Sequence, residues 1–197
     1  MGLEGVKNKK LLYHLTKADN MDMIVNHGLL PRKFLLEHKM IFSDVADSQI
    51  IRKREELGLD IYIPFHFHPY SAFDVAVKNT YSTEKFVYIC IRRALAEFND
   101  FKILAKHPLS QQECVLYNYL DGIENIDWDT MEMTGVTDEY SRNVKMAECL
   151  TNKCIPAELF QCVYVPDMET KQYIEELFQN RGISEQPPYV SIQAKWF

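Results

Sequence analysis

Hydrophobic positions near the start of the chain change from a strand pattern to a helix pattern across one polar segment. An apolar run over residues 11–15 predicts a short buried strand. After the polar segment 16–20, apolar residues recur at helical spacing until Gly28 ends the predicted helix. A strand end that opens onto a helix start gathers free backbone amides. This junction is therefore a candidate site for an anion or a carboxamide.

Polar residues at the junction are the first candidate ligand-binding groups. His14 and Thr16 fall where the predicted strand ends. Asp19 or Asn20 is expected to cap the following helix by accepting a hydrogen bond from a first-turn amide. A second interpretation makes His14 an ordinary strand histidine that is satisfied by its neighbours, and the junction alone leaves both open.

The next helical pattern carries a run of three basic residues. Residues 32–40 fit a short helix or a loop, and apolar spacing predicts a helix over 45–57 that ends at the following glycine. The run consists of Arg52, Lys53 and Arg54. Three adjacent helical positions spread over about 200°, so one of them can point inward while the others stay in solvent.

Two prolines and several rings characterise the segment 61–73. Pro64 and Pro69 exclude a helix centre and argue against a paired interior strand. The rings would form a rigid apolar wall that suits a planar ligand. His66 and His68 fall on one side of an extended chain, as in a metal pair. Because no third ligand follows at a useful spacing, we expect no metal.

Strands and helices are interspersed along the rest of the chain. The predicted strands are 86–91, 101–104, 147–150, 160–165 and 189–197. The predicted helices are 138–146 and 168–180, with a short helix favoured for 114–120 and an acidic surface segment for 121–137. This order predicts an α+β fold. No Gly/Ser/Pro-rich linker interrupts the chain, so residues 1–197 are expected to form a single domain.

Composition and charge narrow the class of protein. The 197 residues are 47% hydrophobic and 25% charged, as in an ordinary globular protein. The net charge of −6 argues against nucleic acid, but residues 111–197 carry six Lys/Arg against fifteen Asp/Glu, which leaves the first 110 residues slightly basic. The five cysteines form no CxxC pair, which predicts reduced, buried thiols. Without a signal peptide or a membrane-length apolar run, we expect a cytoplasmic protein that does not bind membranes.

One carboxylate stands alone in an apolar setting. Glu148 lies between Ala147 and Cys149, and the sequence has no GxGxxG, Walker, HExxH or GxSxG motif that would assign the chemistry elsewhere. On a buried strand face this glutamate needs a charged partner or a raised pKa, and both are common at functional sites. On the other face it would be a solvated strand-edge residue.

Five short stretches, taken in order, carry a resemblance that spans nearly the whole chain. They are Tyr13-His14-Leu15-Thr16 with Asp19-Asn20, the arginine-bearing helix from Ile50 to Arg54, Tyr62-Ile63-Pro64-Phe65-His66-Phe67 with Pro69 and Ser71, Lys145-Met146-Ala147-Glu148-Cys149-Leu150, and Val190-Ser191-Ile192 with Trp196-Phe197. With them the chain resembles the DarT family of toxins, which transfer ADP-ribose from NAD to a base in single-stranded DNA.

The resemblance implies a fold, a co-substrate and a set of roles. It implies an ADP-ribosyltransferase fold of two small, mostly antiparallel sheets with flanking helices around an NAD cleft, and an antitoxin partner. His14, Thr16 and Asn20 would hold NAD, Arg54 or its alternate Arg52 would clamp the pyrophosphate, Glu148 would be the catalytic glutamate, and His66, Tyr70 and Phe73 would bind the acceptor. The chemistry suits these residue types, because an arginine fork holds phosphates and a carboxylate takes the proton of the attacking base.

Departures from the family pattern concentrate on the acceptor side. Tyr70 stands where the family usually has an arginine, and Ala72 and Phe73 stand where it has a Pro-Met pair. Cys149 replaces a phenylalanine after the glutamate. The resemblance therefore supports NAD more strongly than DNA. It leaves open transfer to a protein, RNA, small molecule or water, and also an inactive module that binds NAD or a partner.

Overall fold

A mixed β-sheet flanked by short helices forms the protein in the computed structural model, which describes residues 4–45, 48–108, 110, 115–135 and 138–197. The strands are β1 Leu11–Lys17, β2 Ile63–His66, β3 Phe86–Arg92, β4 Lys102–Leu104, β5 Leu116–Tyr117, β6 Glu148–Thr151, β7 Cys162–Val165 and β8 Tyr189–Ile192. The helices are α1 Met21–His27, α2 Arg32–Glu37, α3 Ser48–Glu56, α4 Ala72–Thr80, α5 Arg93–Phe98, α6 Tyr119–Asn125, α7 Trp128–Glu132, α8 Glu139–Lys145 and α9 Met168–Asn180. The α+β class is as predicted.

The two expected sheets are in fact one sheet with a narrow joint. Its strand order is β5-β4-β6-β2-β1-β3-β7-β8, and among the pairings of the named strands only β7 and β8 run parallel. Strand β1 pairs with β3 at seven positions but with β2 only at Tyr13 and His66. The prediction of two separate sheets was wrong, because this single pair holds the halves together.

Pro64 explains why the joint is narrow. The prolines were expected to disfavour a paired interior strand, and this expectation was wrong, since β2 lies between β1 and β6 with Pro64 opposite Leu150. The Pro64 carbonyl is 2.8 Å from Nδ1 of His14 on β1. The N–H that proline lacks would point to this same side, since the N–H and C=O of a strand residue face the same neighbouring strand. The ladder to β6 therefore survives while the ladder to β1 stops.

The core lies against the sheet and extends into a segment expected to be surface. Strand β3 is buried from Phe86 to Ile91, which fits its central position. Within 121–137, however, Trp128 and Met131 of α7 are buried in the main cluster, and the Trp128 indole N–H donates to the Ile123 carbonyl. The acidic composition of this segment led to the surface prediction, although Trp128 and Met131 stand at helical spacing and belong to the core.

Two other expectations also need correction. Within the expected helix 114–120, Leu116 and Tyr117 instead pair with β4 as a strand, and α6 begins at Tyr119; Cys114, its first residue, lies outside the described residues. Of the described cysteines, Cys90, Cys149 and Cys162 are buried, but Cys154 is exposed; Cys114 lies outside the described residues. The thiols are therefore not uniformly buried.

The β1–α1 junction differs from its prediction in one respect. Strand β1 runs to Lys17, a single 3-10 turn, Ala18–Asn20, follows, and α1 starts at Met21. Asn20 occupies the N-cap position but its side chain makes no capping bond. The amide instead forms hydrogen bonds with Thr16 and Ser43.

Gly28 ends α1 in a conformation that other residues avoid. Its φ of 83° and ψ of 166° lie in a region populated almost only by glycine, and an added Cβ would lie 2.5 Å from Cys154 Sγ and 3.0 Å from the Ile155 carbonyl oxygen. We expect Gly28→Ala to lower the free energy of unfolding by about 3 kcal/mol, from backbone strain plus overpacking.

Gly58 supplies the matched control for this substitution. Its φ is 66°, but an added Cβ would meet nothing within 4 Å. Gly58→Ala should therefore cost only about 1 kcal/mol of left-handed backbone strain. Denaturant unfolding of both variants measures the difference, and equal losses would show that the contact with Cys154 is relieved at no cost.

Candidate active site at the joint of the sheet

A cleft opens where the β1–β2 ladder stops. It encloses about 160 Å³ and lies between the β1–α1 junction, α3 and the first residues of α4 and β6. Seven of the eight site residues predicted from sequence line it: His14, Thr16, Asn20, Arg54, His66, Phe73 and Glu148. The fold thus gathers residues that are far apart in the chain.

Asn20 ties one wall of the cleft together. Its Nδ2 donates to Thr16 Oγ1 at 3.0 Å and to the Ser43 carbonyl at 2.9 Å, and its Oδ1 accepts the Ser43 N–H at 2.7 Å. These bonds hold the segment after α2 against the strand end, so they replace the capping role that the residue type suggested. Ser43, which no sequence motif marks, becomes part of the cleft wall.

Arg54 and Glu148 form an ion pair inside the cleft. Nη1 of Arg54 donates to both carboxylate oxygens of Glu148, at 2.9 and 2.8 Å, and Nη2 lies 3.5 Å from the Leu59 carbonyl oxygen. The side chains are 13% and 5% exposed. Arg52, the alternate arginine, is exposed on α3 and is not among the residues that line the cleft. Helix α3 therefore turns Arg54 inward.

Neighbouring charges set the ionisation of Glu148. Burial by itself would raise the pKa of this carboxyl, but the Arg54 guanidinium and, next, His66 outweigh burial and hold the pKa below its usual value. His66 lies directly opposite Glu148 in the β2–β6 register, so the two side chains share a face of the sheet. Glu148 is therefore an ionised carboxylate at neutral pH.

His14 is neutral in this environment. Burial lowers its pKa to about 4, and the nearby His66 adds to this, while the bond to Pro64 opposes it. A neutral ring whose Nδ1 lies 2.8 Å from the Pro64 carbonyl oxygen carries its proton on that nitrogen. Nε2 is then an acceptor, suited to a hydroxyl or a carboxamide N–H of a ligand.

Of the three predicted acceptor residues, two lie in the cleft and one does not. The Phe73 ring lies 6.3 Å from the His66 ring, and both line the cleft. Tyr70 is not among the lining residues. It is half exposed with a φ of 74°, its N–H donates to the Tyr88 hydroxyl, and its ring lies 4.3 Å below the Lys78 ammonium.

Sequence reasoning missed several further ionisable residues of the cleft, among them Asp74 and His107. Asp74 is buried in the first turn of α4, and His107 follows β4. A signal for Asp74 was present, because Ser71 and Asp74 have the spacing of a capping box and form one. His107 stood in the sequence without any motif around it.

The described residues contain neither a cluster suited to a metal ion nor a helix suited to crossing a membrane. His68, one of the two histidines proposed for a metal pair, faces the carbonyls of Pro69 and Lys145, at 3.0 and 2.9 Å. Among the residues described, no group of three or more His, Cys, Asp or Glu could hold a metal ion. Over the same part of the chain, no helix has the length and hydrophobicity needed to cross a bilayer.

Structures with this fold are known. Thermus sp. 2.9 DarT in complex with ADP-ribosylated ssDNA superposes with a TM-score of 0.79 at 18% identity, over 96% of this chain and 97% of that one. Thermosipho africanus DarTG in complex with ADP-ribose gives a TM-score of 0.77 at 20% identity, over 96% of this chain and 51% of that one. These likenesses establish the fold.

Sequence comparison identifies the family. A DNA ADP-ribosyl transferase-DNA ADP-ribosyl glycohydrolase fusion protein of Thermosipho africanus (strain H17ap60334) is 22% identical in an alignment 182 residues long that covers 87% of this chain and 46% of that protein. The chain thus spans about half the length of this curated relative. The family model described as "ssDNA thymidine ADP-ribosyltransferase, DarT" matches residues 13–197, and the chain belongs to the DarT family.

Proposed function

We propose that this protein transfers ADP-ribose from NAD to a nucleobase in single-stranded DNA. One observation carries the proposal: the Arg54–Glu148 ion pair lies in a cleft that His14, Thr16 and Asn20 also line. Family membership supports the same reaction, since the matching model describes a transferase that acts on thymidine in single-stranded DNA.

NAD would lie along the wall built by β1 and α3. Arg54 uses Nη1 for Glu148, so Nε and Nη2 retain N–H donors for the pyrophosphate. The neutral His14 accepts a hydrogen bond at Nε2, and Thr16 and Asn20 fix the shape of this wall. This wall of the cleft therefore offers the Arg54 cation for the phosphates and the uncharged side chains of His14, Thr16 and Asn20 for the rest of the dinucleotide.

Glu148 would act at the ribose carbon that exchanges nicotinamide for the base. The bond between nicotinamide and ribose breaks, and a bond from the sugar carbon to a base nitrogen forms. Positive charge develops on the sugar as nicotinamide leaves, and an ionised carboxylate stabilises it. Glu148 then takes the proton of the attacking base, and the nearby Arg54 keeps it ionised beforehand.

A different acceptor is the second candidate function. Tyr70 lies outside the cleft where the family usually has an arginine, and the overall charge is −6. Both features weaken attraction for a phosphate backbone. Transfer to a protein, RNA or small molecule, or to water as an NAD glycohydrolase, would use the same Arg54–Glu148 pair.

Mass spectrometry of mixed-sequence single-stranded oligonucleotides with protein and NAD tests the proposal. A gain of one ADP-ribose on DNA would support it. Nicotinamide release without a DNA adduct would favour another acceptor or water. Thermal stabilisation by NAD with neither product would indicate a binding module and contradict the enzyme assignment.

A partner and a location accompany this proposal. The fusion relative joins a DNA ADP-ribosyl transferase to a DNA ADP-ribosyl glycohydrolase in one chain. We propose that this protein likewise functions with an antitoxin that removes the modification, in the cytoplasm where DNA and NAD are both present. Co-expression with such a glycohydrolase should relieve growth arrest caused by the active protein.

Asn20→Asp tests the NAD wall. The aspartate keeps the acceptor for the Ser43 N–H but loses both donations, and its charge faces the Ser43 carbonyl. We expect the NAD dissociation constant to rise about tenfold, since an unsatisfied buried group costs roughly 1–3 kcal/mol. Calorimetric titration measures it, with the exposed Asn125→Asp of α6 as control. Unchanged affinity would restrict Asn20 to a structural role.

A further inference from the structure

Two buried polar atoms in the cleft have no hydrogen-bond partner. They are Oδ1 of Asp74 and Nδ1 of His66, and they are the buried side-chain atoms without a partner in the part of the chain that the structure describes. Asp74 is 1% exposed and His66 is 6% exposed, and both line the cleft. Buried polar atoms are rarely left unpaired, so a pair of them at one site points to a ligand that completes their bonds.

The capping box fixes the orientation of Asp74. Its Oδ2 accepts the Ser71 N–H at 2.8 Å, while its own N–H donates to Ser71 Oγ at 3.2 Å. Oδ1 is therefore held away from the cap. Burial and then the charge of Asp74 raise the pKa of the nearby Tyr88 hydroxyl, but this hydroxyl does not have the geometry of a hydrogen bond to Oδ1. Oδ1 is an acceptor awaiting an N–H or O–H donor.

The surroundings of these atoms suit a nucleobase. The Phe73 ring lies beside the His66 ring at 32° to it, and Phe73 also lines a second cavity of about 230 Å³ whose other walls include Val77 and Met146. An aromatic ring next to an apolar cavity is a stacking surface for a base, and polar atoms beside it can contact the base edge. The groups assigned to NAD line the same cleft, and His66 and Asp74 lie close enough to His14 to affect its pKa.

We propose that Asp74 and His66 select the acceptor base, an inference that rests on the proposed function. Asp74 Oδ1 accepts an N–H from the base edge, His66 Nδ1 makes the adjoining hydrogen bond, and Phe73 packs on the face of the base. Both side chains are buried in the free protein, so the entry of a base requires a local movement of the cleft wall. Base identity is then determined by the hydrogen-bonding pattern of these two atoms.

Asp74→Asn inverts the pattern at one atom. The cap requires an oxygen toward the Ser71 N–H, so the amide nitrogen takes the position of Oδ1 and an acceptor becomes a donor. We expect transfer to the preferred base to fall about tenfold or more, with modification moving to a base that presents a carbonyl there. The sites of ADP-ribose on one oligonucleotide containing all four bases are mapped by fragmentation mass spectrometry, and NAD affinity is measured alongside.

Two further variants make the experiment decisive. Ser71→Ala breaks the bond from the Asp74 N–H but leaves Oδ1 in place, so its base distribution should match that of the wild type. His66→Phe keeps a ring but removes Nδ1, and it should also change the distribution. If Asp74→Asn does not fold, the base distribution of His66→Phe alone tests the proposal.

The outcomes separate this inference from the proposed function. Wild-type NAD cleavage without any DNA adduct overturns both. Wild-type transfer to DNA with an unchanged base distribution in Asp74→Asn and His66→Phe overturns this inference alone. A loss of NAD affinity that equals the loss of transfer also overturns it, because the two atoms would then contact nicotinamide. A changed distribution at retained NAD affinity supports it.

Discussion

Glu148→Gln is expected to lower ADP-ribose transfer by about 10²–10⁴-fold while the protein stays folded and binds NAD. The amide has the shape of the carboxylate but neither its charge nor its basicity, so it stabilises no positive charge and takes no proton. Arg54 keeps a hydrogen-bond acceptor at the same place, and at 13% exposure its side chain retains some contact with water. Initial rates of oligonucleotide modification at saturating NAD measure the loss.

The exposed Glu158→Gln is the matched control, because it removes the same charge far from the cleft residues. It should retain full activity. Full transfer by Glu148→Gln would show that another group takes the proton, and loss of NAD binding in this variant would place Glu148 in binding instead of chemistry.

What the sequence could predict depended on how local the determinant was. The strand, turn and helix around His14, the end of α1 at Gly28 and helix α9 all follow from periodicity and a stop signal. Glu148 could be assigned to a strand, but its burial against Arg54 depends on a tertiary contact that the local sequence does not encode. The basic run on α3 offered three inward candidates, and only the packed fold selects Arg54.

Failures arose where tertiary contacts overrode a residue's usual preference. Asn20 is of a residue type that often caps helices, yet its side-chain amide forms three hydrogen bonds with Thr16 and Ser43 instead. Pro64 disfavours a strand on average, but its missing N–H points to the side where the sheet opens, so it costs no ladder bond there. Pro64, which led us to expect no interior strand here, thus helps to create the cleft.

Arg54→Met is expected to lower the free energy of unfolding at pH 7 by about 3 kcal/mol and to abolish NAD-dependent transfer. Methionine fills a similar volume but leaves Glu148 buried and unpaired, which is costly for an ionised carboxylate. Without the guanidinium, burial dominates and the pKa of Glu148 rises above its unfolded value.

The pH dependence of stability identifies this cause. In the wild type the pKa of Glu148 is lowered on folding, so its contribution to stability is present above the unfolded pKa of about 4.5 and is lost as the pH falls through the folded value. In Arg54→Met the sign reverses: the folded carboxyl holds its proton more tightly than the unfolded one. Stability should therefore fall as the pH rises from about 4.5 to the raised pKa.

Denaturant unfolding at pH 5 and pH 8 tests the reversal. The double variant Arg54→Met with Glu148→Gln removes the titrating group, so it should regain part of the lost stability at pH 8 and lose the inverted pH slope, while remaining inactive. A single variant that keeps the wild-type slope would mean that Glu148 finds another cation or reaches water when Arg54 is absent. The ion pair would then not be needed to keep Glu148 ionised or the protein stable, and the role of Arg54 would be limited to NAD binding.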